Sequence, residues 1–233
     1  MAVRDQVTIN DALEAFLAEQ RGRLAAKTLR RYEDVVWLLR ECLDRYGHSS
    51  LSAGERRRWE KRFEGGEEDA FCRLFGPEKI PAHIDEFLDW FMVRKVMAGQ
   101  DLLKASGTVT GKLVRWLAGH GYIDEDVAEY AAERAREASR DLPMADRLAT
   151  LLHEVADSAP EVDVDALAEE DWVEDQLAIS DVEPGQIWFD GGVGPIAVPR
   201  KASDLARPGW SAFVTGARTD GAWRLLEVGF VYP

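Results

Sequence analysis

Apolar residues recur at helical spacing through the first 155 positions. The clearest stripe lies on one face of a helix over roughly 27–46 and consists of Leu29, Tyr32, Val36, Leu39, Leu43 and Tyr46. Weaker stripes with capping signals predict helices after Thr8 or Asn10, after Ser52, from Pro81 to Gly99, over about 106–119, from Asp124 and from Pro143. The pattern therefore predicts a helical bundle over 1–155.

The last fifty residues change to the pattern of short strands. Strand candidates are Ile187–Phe189, Ile196–Val198, Trp210–Val214 and 222–232, the last entered through an Asp220-Gly221 hairpin turn. The alternation slips at Leu225-Leu226 and Gly229 lies inside the run, which predicts bulges. We expect a small β-barrel of SH3-like or OB-like type over 184–233, with its aromatic side chains filling the interior. The fold class is therefore α+β, with the bundle SAM-like.

Charge is concentrated between these two regions. The chain carries a net charge of −14, and residues 154–183 hold twelve acids without a Lys or Arg. We interpret 156–183 as an acidic connector. The helical spacing of Val164, Leu167, Ala168 and Trp172 leaves two alternatives open: a short amphipathic helix, or a solvated linker with apolar anchors.

Other features of the sequence bound its location and chemistry. No apolar run approaches ~18 residues, and Met1–Gln6 lacks the apolar core of a signal peptide. Cys42 and Cys72 are too few for a disulfide framework, so we expect a cytoplasmic protein without a membrane association. No Cys/His cluster has metal-ligand spacing, and Pro195 follows Gly191–Gly194 where a dinucleotide loop would start a helix. We expect neither a metal nor a cofactor.

The N-terminal part resembles a known DNA-binding domain. Lys27–Tyr32 with the stripe through Leu43, and Ser106–Val109 with Leu113–Leu117 and Gly121–Ile123, are similar to the core-binding domain of tyrosine recombinases (phage integrases). The resemblance covers about 8–46 and 84–123. It implies a small SAM-like bundle that contacts DNA.

Recombinase chemistry itself is not expected. In that family a separate C-terminal domain carries out the chemistry. A Tyr side chain attacks the phosphate, and cationic groups that include a His-x-x-Arg pair stabilise the phosphoryl oxygens. None of the four histidines here has Arg three residues later, and the last fifty residues are too few for that catalytic domain. We interpret Tyr232 as a packing residue and the protein as a non-enzyme, although an unmarked active site stays open as a third hypothesis.

Two clusters of bases are candidates for nucleic-acid contact. The cluster on the second and fourth helices consists of Arg23, Lys27, Arg30, Arg31, Lys112 and Arg115, with Lys104 nearby. The alternative is a solvated face paired with Glu33 and Asp34. The denser run Arg56–Arg58 alternates with acids, and an Arg56–Glu60 pair predicts that it neutralises itself.

These observations support two hypotheses of different classes. The first is a non-catalytic, DNA-associated or regulatory protein that binds duplex DNA weakly and salt-sensitively, because the acidic charge opposes binding. The second is a protein–protein interaction adaptor without nucleic-acid binding, in which the acidic connector and the barrel bind a basic protein partner. The sequence leaves the oligomeric state open.

Overall fold

Helices come first and a closed five-stranded β-barrel follows in the computed structural model of the chain. The structure describes residues 7–233 apart from the Asp165 side chain. Met1–Gln6, interpreted above as lacking a signal peptide, lies outside the described residues. The predicted α+β class, with a helical bundle before a small barrel, is confirmed. The chain divides into two compact units, one up to Arg140 and one over Asp141–Pro233, instead of at the predicted position 155.

The first and third helices begin where the capping signals predicted, and the second begins close to the start that its apolar stripe predicted. They are α1 (Ile9–Arg21), α2 (Ala26–Tyr46) and α3 (Ala53–Phe63). Thr8 and Asp11 form a reciprocal capping box before α1, and Ser52 and Glu55 form another before α3. Four residues of the predicted α2 stripe are fully buried, namely Tyr32, Val36, Leu39 and Leu43.

The region from Ala70 to Arg94 differs from the single helix that Pro81 predicted. The segments are α4 (Ala70–Leu74), a 3₁₀ helix over Pro77–His83, a π-helical stretch over Glu86–Phe91 and α5 (Met92–Arg94). Pro81 therefore lies inside a 3₁₀ helix and does not begin an α-helix. The apolar spacing still selects the buried side, since Ile84, Phe87 and Leu88 are buried.

Two long helices complete the helical part. α6 (Gln100–Gly119) starts six residues before its predicted start, and α7 (Glu125–Asp157) replaces the two helices expected on either side of Pro143. Proline removes one backbone donor, but Leu142 and Ala145 beside it are buried, and this packing favours helix on both sides. A Cβ on Gly107 would lie 2.3 Å from the Ala135 carbonyl oxygen, so α6 and α7 meet there almost backbone to backbone.

The barrel has five strands and a short helix, and its first strand lies before the predicted start of the barrel at 184. Its elements are β1 (Trp172–Glu183), β2 (Gln186–Phe189), β3 (Val193–Ala197), α8 (Arg200–Leu205), β4 (Ser211–Thr219) and β5 (Ala222–Tyr232). The strand order is β1-β2-β3-β5-β4, and β4 pairs with β1 to close it. The parallel β3–β5 pair and the helix between β3 and β4 favour the OB-like alternative over the SH3-like one.

The second part of the predicted acidic connector belongs to the barrel: 172–183 is β1, with Leu177 packed on the barrel core and Ile179 inside it. The helical spacing from Val164 to Trp172 forms two single 3₁₀ turns, Val164–Ala166 and Glu169–Asp171, in place of one amphipathic helix. The adjacent exposed acids Glu174 and Asp175 interrupt the two-residue period of the strand. The second half of α7 packs on the same core through Leu148 and Leu152, so the second unit begins before the strands do.

The expected irregularities of β5 are present. Asp220 and Gly221 have φ values of 54° and 77°, as a tight hairpin turn requires. Pairing with β4 passes over Leu226 and then over Gly229 with Phe230. Both predicted bulges are confirmed.

Candidate nucleic-acid interface

The N-terminal end of α2 concentrates positive charge. The cap residue Ala25 offers no side-chain acceptor, and the first turn holds no acid. Lys27, Arg30 and Arg31 occupy the first two turns, where the helix dipole already adds a partial positive charge. Free backbone donors, the dipole and three cations together make this end attractive to anions.

Aromatic packing fixes α2 against α6 beside this end. Tyr32 of α2 is buried and its ring lies 5.9 Å from that of Phe16, which in turn contacts Trp116 of α6 edge-on at 5.8 Å. Val109 of α6 is buried in the same contact region. The two predicted cationic helices are therefore neighbours, although about seventy positions separate them in sequence.

A shallow groove of about 290 Å³ lies between the two helices. Its lining residues are Lys27, Thr28, Arg31, Tyr32, Asp101, Lys104, Ala105, Thr108 and Val109. Three of these are cations and one is an acid. Lys112 lies next along α6, and its Nζ is 5.5 Å from the centre of the Tyr32 ring. The structure thus gathers cations from both helices around one depression.

Acids moderate the charge of this groove without closing it. The Arg31 guanidinium lies 3.7 Å from an oxygen of Asp34 and 3.7 Å from one of Asp101. The Asp101 side chain is 79% exposed, so these contacts are solvent-screened pairs of small energy. A phosphate could compete for Arg31 at little cost.

The remaining predicted residues divide between two places. Arg23 is exposed just before α2 and Arg30 is exposed on it, but neither lines the groove. Arg115 lies apart from the groove: it donates to the Gly111 carbonyl at 3.1 Å and lines a depression beside α7 that also contains Glu129 and Glu133. We therefore remove Arg115 from the candidate interface. The sequence pattern missed the groove residue Asp101, because α6 was expected to begin at 106. Gly99, the N-cap residue of α6, was the sequence signal for the earlier start of this helix.

The second basic run does not form the predicted pair. Arg56 donates to the His48 carbonyl at 2.9 Å, and Arg62 pairs with Glu67 at 2.9 Å. Arg56 and Arg62 therefore serve local contacts with partners other than Glu60, whereas Arg57 and Lys61 are exposed.

The barrel aromatics depart in part from the expected interior packing. Phe189 and Trp210 are buried as expected, whereas Phe213 is 41% and Phe230 is 51% exposed. The two exposed rings lie on adjacent strands, at the bulge where pairing passes over Gly229. Tyr232 is half-buried opposite Ser211 in the β4–β5 ladder, as a packing residue would be.

Comparisons with known proteins provide no family assignment: no family model, curated protein or solved structure matches the chain. Over residues 7–233, no three His, Cys, Asp or Glu side chains converge as a metal site would require. No described helix combines the length and the apolar character needed to cross a bilayer.

Proposed function

We propose that this is a non-catalytic DNA-associated protein whose helical unit contacts duplex phosphates through the α2–α6 groove. The observation that carries the proposal is the placement of Lys27, Arg31 and Lys104 around one depression at the positive end of α2. The resemblance to a recombinase core-binding domain supports the same function. Phosphate contacts position a protein on DNA without reading its sequence, which suits a regulatory or accessory role.

The electrostatics set the expected strength of binding. The net charge of −14 repels DNA at long range, while the local cations attract it at contact. Binding should therefore be weak and steeply dependent on salt, with a slope of about −0.9 in log K against log salt for each phosphate contact. The missing His-x-x-Arg pair and the half-buried position of Tyr232 in β5 argue against recombinase chemistry and support a non-catalytic role.

The test uses the full chain and a fluorescent duplex, with anisotropy measured at several salt concentrations. Arg30→Glu with Arg31→Glu should abolish binding at low salt. The matched control is Arg57→Glu with Lys61→Glu, which makes the same charge change at exposed positions of α3 and should reduce binding far less. Equal losses in both double variants, or no salt-sensitive binding by the parent, would reject the proposal. Deletion of 157–183 is not a usable control, because it would remove β1.

The adaptor function is a second candidate with its own observation. The exposed rings of Phe213 and Phe230 lie near β1, whose residue Gln176 pairs with Phe213 and follows the exposed acids Glu174 and Asp175. An apolar patch beside carboxylates suits a basic protein partner that also presents apolar side chains. Phe213→Ser with Phe230→Ser should abolish capture of such a partner while leaving DNA binding unchanged. Unchanged capture would reject this candidate.

A further inference from the structure

A second depression on the helical unit has the opposite character to the α2–α6 groove. This acidic pocket has a volume of about 700 Å³ and is lined by Glu41, Asp44, Arg45, His48, Trp59, Phe63, Glu68 and Asp69. Four of the eight lining residues are acids and one is a base. The other three are aromatic rings.

The rings form one continuous stack. The His48 and Trp59 ring centres lie 4.6 Å apart and their planes differ by 5°, while Trp59 and Phe63 are 5.0 Å apart. The Trp59 indole is therefore stacked on two rings, and its polar group is the Nε1–H. Trp59 is 92% buried, and its Nε1 has no hydrogen-bond partner among the described residues. An unpartnered buried N–H costs about 1–3 kcal/mol, which a ligand acceptor would recover.

The four carboxylates of the acidic pocket differ in the ion pairs and hydrogen bonds that they make within the protein. Glu41 pairs with Arg45 at 2.9 Å, and Asp69 pairs with Arg73 at 2.5 Å. Glu68 is exposed and makes no ion pair within the described part of the chain. Asp44 is buried and accepts a hydrogen bond from the Cys72 backbone N–H at 2.9 Å, and it forms no ion pair with a base of the described residues.

The charge of the pocket therefore exceeds what its own bases balance. Burial raises the pKa of the Asp44 carboxyl to about 6, and the neighbouring acids Asp69 and Glu41 act in the same direction. Because no three carboxylates converge on a point, this charge is spread over the cavity wall and does not offer the ligand set of a metal ion. A larger, delocalised or substituted cation matches it better.

We propose that the acidic pocket binds an organic cation of guanidinium or ammonium type, carried by a ligand with a neighbouring hydrogen-bond acceptor. The carboxylates of Asp44 and Glu68 attract the cation, and the exposed ring of Phe63 covers its apolar stem. The Trp59 N–H donates to the acceptor. An arginine residue of a peptide and a free amine share this chemistry. The site does not depend on DNA binding, since its charge is opposite to that of the α2–α6 groove.

The test titrates the full chain with three small probes, followed through the Trp59 indole N–H resonance, which Trp59→Phe identifies. Nα-acetyl-arginine amide carries both cation and acceptor, butylguanidine is a monocation that lacks the acceptor, and Nα-acetyl-citrulline amide is the neutral isostere. The arginine probe should bind at least about tenfold more tightly than the citrulline probe, a difference of about 1.4 kcal/mol. Weaker binding of butylguanidine than of the arginine amide points to an arginine residue of a peptide as the source. Equal binding of the two would overturn the role of the Trp59 N–H.

Two substitutions separate the site from general electrostatics. Glu68→Gln should weaken the arginine probe about fivefold, as expected for one solvent-accessible ion pair. Glu64→Gln is the control, because Glu64 is exposed, lies close by in sequence and does not line the pocket. Equal binding of the arginine and citrulline probes, or equal effects of the two substitutions, would overturn the proposal. Binding of Mg²⁺ in place of the arginine probe would also overturn it.

Discussion

The two ends of α2 differ in charge. Lys27, Arg30 and Arg31 lie in its first two turns, where they oppose the helix dipole. Its last two turns hold two acids, Glu41 and Asp44, together with two bases, Arg40 and Arg45. Helix α1 has an acid, Asp11, in its first turn, and there each charge of the wrong sign costs an exposed helix about 0.3–1 kcal/mol. The cations at the start of α2 do not stabilise their own helix, and phosphate binding there would account for them.

The buried stripe of α2 joins its two ends, and Leu39 lies near its middle. Leu39 is 1% exposed, and Leu39→Ala should lower the free energy of unfolding by about 3–5 kcal/mol through lost burial and a cavity. Denaturant unfolding measures the loss, and both the DNA and the cation affinities should fall together. Trp37→Ala on the exposed face is the control and should cost far less. Equal losses would show that the helix faces are wrongly assigned.

Gly107 provides a way to disturb one end alone. Gly107→Ala places a Cβ against the α7 backbone and should lower the free energy of unfolding by about 2–3 kcal/mol. The clash is with backbone atoms, so one of the two helices has to shift to relieve it. DNA binding should weaken with the displaced α6, while the acidic pocket keeps its affinity for the arginine probe. Gly119→Ala, in open space at the end of the same helix, should be neutral or slightly stabilising. Loss of both affinities would mean that the two ends are not independent.

Asp44 gives the acidic end a characteristic pH dependence. Its folded-state pKa of about 6 lies above the ordinary value of 3.8, so its contribution to stability is full below pH 3.8 and is lost as the pH rises through 6. Asp44→Asn keeps an acceptor for the Cys72 N–H but cannot ionise. It should match the parent near pH 4 and be more stable by about 2 kcal/mol near pH 7.5. Thermal unfolding at both pH values checks this, and a constant difference would contradict it.

The smallest expected effect is the most specific to the basic end. Arg30→Glu replaces a cation with an acid near the N-terminal end of α2, where the helix dipole favours negative charge. The substitution should raise the free energy of unfolding by about 0.5 kcal/mol and weaken DNA binding. Chemical unfolding and anisotropy on the same sample measure the two quantities. A change of both in the same direction would favour the solvated-face alternative over a binding role.

Sequence reasoning succeeded where one local signal determines one local structure. The capping boxes at Thr8 and Ser52, the Asp220-Gly221 turn and the bulges of β5 each depend on a few adjacent residues. It failed where tertiary packing overrode that signal. Pro143 continues a helix because its neighbours are buried, and β1 forms despite its acids because β2 and β4 pair with it.

The candidate site shows the same division. The α2–α6 cations were predictable from helical spacing and the recombinase resemblance, including Lys27, Arg31 and Lys112. Arg115 was misplaced because its position depends on how α7 packs, which a single helix pattern does not contain. The Trp59 stack was not predicted, because His48 reaches the indole from the 3₁₀ helix Gly47–Ser50, although Phe63 lies one turn after Trp59 on α3.

Closure of the barrel limits how a partner can attach to the second unit. Every strand has two neighbours in the order β1-β2-β3-β5-β4, and β4 returns to β1. An extended peptide that docks by strand addition needs an unpaired edge with free backbone donors and acceptors. Only the β3–β5 seam is thinly paired, through Ile196 and Trp223, so strand addition is restricted to this seam. Elsewhere on the barrel, recognition uses side chains such as the two exposed phenylalanines. The same closure leaves little free edge through which sheets of this length self-associate into cross-β aggregates.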